Sequence, residues 1–177
     1  MPRLYLLRHA KSAWPEGVPD RERPLAPRGE RGAAAIGAYM AENHLLPARA
    51  LVSPARRTLE TWDIATRTWP THAPPVFEDG IYEAPADRLL EIIRRQDGHS
   101  PLMLVGHNPG MEALAARLLT RAHRARVLPK YPTGALAVID LPGASWAHIA
   151  TGEGTLERFV TPRALGVAKE DATENRQ

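Results

Sequence analysis

Cysteine is absent from the 177-residue chain. That excludes disulfides, thiolate metal sites and every mechanism with a cysteine nucleophile, and it leaves no sign of an oxidising compartment. Long apolar runs are missing too. The N-terminal run, Leu4 to Leu7, is too short for a signal-peptide core, and nothing approaches the length of a membrane span. A cytoplasmic protein with no membrane partner is the expectation. The charge is nearly balanced, with 23 basic against 20 acidic residues and a net charge of +3, too mild to indicate nucleic acid. Lysine is scarce, at Lys11, Lys130 and Lys169, so arginine carries most of the positive charge. There is no G-x-x-x-x-G-K-[ST] string, hence no P-loop. The histidines His44, His72, His99, His123 and His148 are scattered without metal-ligand spacing, no paired aspartates suggest a two-metal site, and neither metal nor cofactor is expected.

What is present suits a packed core. Apolar residues make up 44% and charged residues 24%, ordinary for a globular chain, and the length suits one domain over 1–177, with a frayed polar tail from about 167. A monomer is expected from size. Leu4 to Leu7, Ala50 to Val52 and Leu102 to Val105 read as short buried strands. Helices are expected over about 27–43, with Ala33, Ile36, Gly37 and Met40 inward, and over 86–96, with Leu89, Leu90 and Ile93 inward. Two more should start at Ser53-Pro54 and at Asn108-Pro109, each a capping residue followed by a first-turn proline, and run to about Thr68 and Arg121. Val76-Phe77 is a short strand. Leu136 to Asp140 and Trp146 to Ala150 read as a hairpin around Pro142-Gly143. The loop of 15–29 should be ordered by Leu25 packing inward. Arg117, Arg121, Arg124 and Arg126 read as a solvated helix face. Strands alternating with helices give an α/β fold, a three-layer sandwich with a mostly parallel central sheet.

The buried strands end in similar chemistry. The first ends at Arg8-His9, the second leads through Ser53 to Arg57, and the third ends at His107 beside a helix start. In a parallel sheet these ends share one edge, where ligands bind. Arg56 and Arg57 fall in the first turn of a helix, where cations oppose the dipole, so a neighbouring acid or a bound anion is required. Two arginines, two histidines and helix-end amides around one point describe a phosphate pocket.

The stretch LYLLRHAKSAW resembles the signature of the histidine phosphatase superfamily, whose usual form is Arg-His-Gly. SPARRTLET resembles its second motif and GHNPG its third, in the same order and spacing. RPLAPRG, YPTGALAVIDL and LERFVTPRAL resemble the small branch that includes phosphohistidine phosphatases. The resemblance covers nearly the whole chain and implies a phosphoglycerate mutase-like fold. It implies that His9 is the nucleophile, that Arg8 and Arg57 clamp the phosphoryl oxygens, and that His107 adds a donor. It selects Arg57 over Arg56, which is left to solvent or the rim. Members acting on phosphate esters use a carboxylic acid as proton donor, for which Glu83 is the candidate here. Lys11, Ser12 and Trp14 are weaker candidates for substrate contact, and Asn108 is a helix cap. Ala10 replaces the usual glycine, a change of loop shape.

The expected substrate is a phosphorylated protein, notably a phosphohistidine, or a small phosphorylated metabolite. A phosphomonoesterase or mutase of the same superfamily is the alternative, and a non-catalytic phosphate-binding module the alternative of another class.

Overall fold

The computed structural model describes residues 1–128 and 130–168; most of the expected tail, 169–177, lies outside them. A six-stranded sheet runs through the middle in the order β3-β2-β4-β1-β5-β6. Its strands are β1 (Arg3–Arg8), β2 (Arg49–Val52), β3 (Val76–Phe77), β4 (Leu102–Gly106), β5 (Leu136–Asp140) and β6 (Thr155–Val160). The first four are mutually parallel, β5 runs antiparallel to them, and β6, antiparallel to β5, returns to the direction of the first four. The expected mostly parallel α/β sandwich is what the chain forms.

Side-chain alternation along the strands divides the core in two. Leu4, Leu6, Leu102 and Leu104 face one side, packing with Leu89, Leu114 and Leu118 of α3 (Ala86–Arg94) and α4 (Gly110–Leu118). Tyr5, Leu7, Met103 and Val105 face the other, against Ile36 and Met40 of α1 (Pro27–Glu42) and Trp62 of α2 (Arg56–Ala65). β1 and β4 are therefore covered on both faces, which is why they read as unbroken apolar runs. Leu25 is buried, as expected, against Ala10 and Ala33.

Four expectations are corrected. The hairpin partner of β5 is β6, not Trp146 to Ala150. Trp146–His148 is instead a 3-10 turn, whose spacing of three puts Trp146 and Ile149 into the core while the indole N–H donates to the His99 carbonyl. The helix after β2 starts at Arg56, because the Ser53 hydroxyl bonds to His107 rather than capping that helix. The helix after β4 stops at Leu118, and Thr120 caps a separate turn, α5 (Arg121–Arg124). Asn108 still serves α4, its side-chain oxygen accepting from the Glu112 N–H. The arginine cluster is not merely solvated: Arg117 pairs with Asp87, and Arg126 donates to the Leu156 carbonyl of β6.

Candidate active site

Leu7 and Arg8 pair with Val105 and Gly106, and Val52 pairs with Val105, so the carboxyl ends of β1, β2 and β4 lie side by side. β1 delivers Arg8 and His9 to this edge, the turn into α2 delivers Ser53 and Arg57, and β4 delivers His107. The rings of His9 and His107 lie 5.4 Å apart between centroids. His9, Arg57 and His107 are 7%, 5% and 6% exposed. The structure thus brings together the four residues the sequence singled out first.

The backbone around His9 is pinned from several sides. Its N–H donates to the Gly106 carbonyl at 3.0 Å, and its own carbonyl accepts the Gly134 N–H at 2.9 Å. Gly134 holds a left-handed φ of 76°, which a side chain would strain. The Ala10 N–H donates to Thr61 Oγ1 at 3.0 Å, and that hydroxyl donates to the Arg57 carbonyl at 2.6 Å. A Cβ on Gly29 would sit 1.9 Å from the Lys11 oxygen, so only glycine lets α1 press this close to the loop.

His9 Nδ1 lies 2.7 Å from the Ala10 carbonyl oxygen. A carbonyl only accepts, so Nδ1 carries the proton and Nε2 keeps its lone pair. Burial pushes the imidazole down to about 3, with His107, Arg57 and Arg8 adding to the effect and the Ala10 carbonyl opposing it. Burial, more than the neighbouring guanidiniums, keeps the ring neutral. His107 is likewise pushed down, to about 4, by burial first and Arg57 second.

Among the described residues, three buried donors or acceptors here have no partner: Nε of Arg8, Nε of Arg57 and Nδ1 of His107. Other atoms of the same side chains are engaged. Arg8 Nη1 donates to the Tyr131 carbonyl at 2.8 Å, and His107 Nε2 lies 2.7 Å from Ser53 Oγ. Arg57 donates through Nη1 to the Asp20 carbonyl at 2.7 Å and through Nη2 to its carboxylate at 3.1 Å. Unmatched buried polar atoms are costly unless a ligand satisfies them. An anion with several acceptor oxygens does so.

Asp20 is the residue that sequence reasoning missed. Its carboxylate accepts from the Tyr82 hydroxyl, Arg23 and Arg57, which hold it well below the usual carboxylate range. The only signal in the sequence was that a first-turn Arg57 needs an acid or an anion, and the fold supplies the acid. Tyr82 also sets its ring edge-on to His107, with centroids 5.5 Å apart.

The other expected residues are less central. Arg56 is exposed and pairs with Glu60 at 3.2 Å, as a rim residue would. Ser12 is buried but its hydroxyl is taken by Arg23. Trp14 is 76% exposed and carries the Arg23 guanidinium 3.2 Å over its ring. Lys11 is exposed. Glu83 is exposed with a left-handed φ of 53°, on the segment that places Tyr82 against His107.

The sequence profile of the histidine phosphatase superfamily (branch 1) matches residues 4–89. An uncharacterised protein of Mycobacterium tuberculosis is 37% identical over 168 residues, covering 89% of this chain and 100% of its own. A solved structure from Agrobacterium tumefaciens, provisionally named phosphohistidine phosphatase SixA, is 32% identical with a TM-score of 0.77, covering 91% of this chain and 99% of its own. The protein histidine phosphatase SixA complexed with tungstate superposes with the same TM-score at 19% identity, over 92% of this chain and 99% of its own, and shows the shared fold.

The two depressed histidines make stability depend on pH. Between about 6.5, the ordinary imidazole value, and about 4, the unfolded chain binds more protons than the folded one. Their contribution is complete above that window and is lost as pH falls through it, each adding up to about 1.4 kcal/mol per pH unit. Urea unfolding between pH about 7 and about 4 will show the decline, and His107→Gln will make it shallower. A slope unchanged by the substitution contradicts the assignment.

Proposed function

Because this chain belongs to the histidine phosphatase superfamily, we propose that it hydrolyses phosphorylated substrates in two steps, with the phosphoryl group carried on His9 Nε2. The observation supporting this most directly is the His9 ring, neutral and with Nδ1–H committed to the Ala10 carbonyl, so that Nε2 alone is free to attack.

The phosphoryl oxygens sit among Arg8, Arg57 and His107. With the Ser53 hydroxyl donating to His107 Nε2, His107 Nδ1 carries a proton and is a donor to one oxygen, while Nε of each arginine serves the others. Donors fixed in a water-poor site stabilise the charge that spreads over the transferring group. His9 Nε2 forms a bond to phosphorus as the bond to the leaving group breaks. The phosphorylated ring becomes cationic, and the Ala10 carbonyl facing Nδ1–H stabilises that charge. A water then attacks phosphorus, the N–P bond breaks back onto Nε2, and inorganic phosphate leaves.

Glu83 is the proton donor for an ester leaving group. A phosphohistidine substrate, whose leaving imidazole is a better leaving group than an alkoxide, depends on it less. The likeness to the Agrobacterium protein supports a phosphohistidine carried by a protein as substrate. A small phosphate ester remains the second reading, supported by Tyr82, whose ring stands edge-on to His107 while its hydroxyl donates to Asp20.

Quenching turnover of a labelled substrate in alkali will keep label on His9, and quenching in acid will lose it. His9→Ala will abolish both turnover and label, and label on serine overturns the mechanism. Glu83→Gln will slow hydrolysis of an alkyl phosphate at least tenfold and leave a phosphohistidine peptide within about twofold, consistent with the usual worth of a general acid of about 10²–10⁴ at most. Equal loss on both substrates removes Glu83 from the proposed role.

A further inference from the structure

Behind the His9 loop lies a second cavity, of about 440 Å³. It shares Ala10 and Lys11 with that loop, but Arg8, His9, Arg57 and His107 do not line it. Its floor is apolar or without side chains: Gly29, Gly32, Pro132, Pro162 and Val167. Its charged lining is of one sign, Lys11, Arg28, Lys130 and Arg163, with no carboxylate among the lining residues.

Among the described residues, cations outside the cavity divide between those paired with a carboxylate and those, such as Arg31, Arg67 and Arg88, paired with none. Arg3, Arg23, Arg49, Arg56, Arg57 and Arg117 are each matched to an acidic side chain. Among the described residues the four cations of this cavity are paired with none. Two of the chain's three lysines, Lys11 and Lys130, are here. They come from four separate places: the loop after β1, the first turn of α1, the segment before β5 and the turn after β6. Like charges gathered around one hollow repel one another, and an anion offsets that repulsion. The volume falls within the range of small-molecule sites, and an apolar floor beneath a few convergent polar groups is their usual composition.

We propose that this cavity is a second ligand site, which takes a small organic anion, a carboxylate, sulfonate or phosphate on an apolar body. The body rests on the proline and glycine floor, and the anionic group meets Lys130 and Arg163 at the rim. The site stands apart from the reaction proposed for His9: of the residues given a role there only Ala10 lines it, and Arg8, His9, Ser53, Arg57, Glu83 and His107 do not.

The probe is 1-anilinonaphthalene-8-sulfonate, an anion on an aromatic body, followed by its fluorescence on titration with the full chain. The wild type will bind it saturably at one site. The double variant Lys130→Glu, Arg163→Glu will weaken binding at least tenfold by reversing the charge. Gly32→Leu will do so by volume alone, and a Cβ at Gly32 meets only Pro162, at 3.4 Å, so that helix position accepts a side chain. Both variants will keep the wild-type far-ultraviolet dichroism and hydrolysis of p-nitrophenyl phosphate within about twofold. His9→Ala will bind the probe as the wild type does. Probe affinity unchanged in both cavity variants overturns the proposal, as does its loss in His9→Ala, which would place the probe in the phosphate pocket. Loss of affinity together with loss of dichroism in one variant leaves the other to decide, and loss of dichroism in both overturns the assignment of these residues to a ligand rather than to folding.

Discussion

The 2.7 Å hydrogen bond from His9 Nδ1–H to the Ala10 carbonyl decides which nitrogen of the ring is available. Much of the fold bears on that contact. A carbonyl one residue along can meet the ring only if the chain turns sharply after β1, and the turn is held by Gly106 of β4, Gly134 in the turn before β5 and Thr61 of α2. The sheet is the rigid part: β1 lies between β4 and β5, with its side chains buried on both faces. A site built at the end of such a strand is placed by the whole core rather than by the loop alone.

Burial does double duty at this edge. It removes water that would favour the imidazolium form of His9 and His107, so both rings are neutral. It also raises the cost of leaving guanidinium donors unmatched. The chain meets this cost in part, through Asp20 for Arg57 and the Tyr131 carbonyl for Arg8, and leaves one Nε on each without a partner among the described residues. A phosphoryl group therefore enters a site that is already positive and already ordered. Asp20 holds Arg57, Arg23 and Tyr82 at once, so one exposed carboxylate ties the 15–24 loop to the pocket wall.

Most of this was legible in the sequence, and the parts that were not share a cause. β1 and β4 are readable because a strand covered on both faces has no polar residues until it ends, and its end is then conspicuous. The pair Arg56-Arg57 is readable because cations in a helix's first turn are an anomaly, and the family resemblance picks Arg57 from the pair. Asp20 is not, because it lies 37 residues from Arg57 in a loop whose composition says only that it is a loop. Ser53 looked like a helix cap because local rules know nothing of His107, 54 residues away. Trp146 to Ala150 looked like a strand because a short apolar stretch after a turn fits either geometry; its buried Trp146 and Ile149 instead follow the spacing of a tight helical turn. Local chemistry marked the ends of elements well and their distant partners poorly.

The tautomer of His9 tests the account at its base. A long-range proton–nitrogen correlation spectrum of the wild-type imidazoles near neutral pH, with His9 assigned by comparison with His9→Ala, reports the state of each ring nitrogen. The account predicts a neutral His9 with its proton on Nδ1 and a free lone pair on Nε2. A doubly protonated ring, or a proton on Nε2, would contradict it.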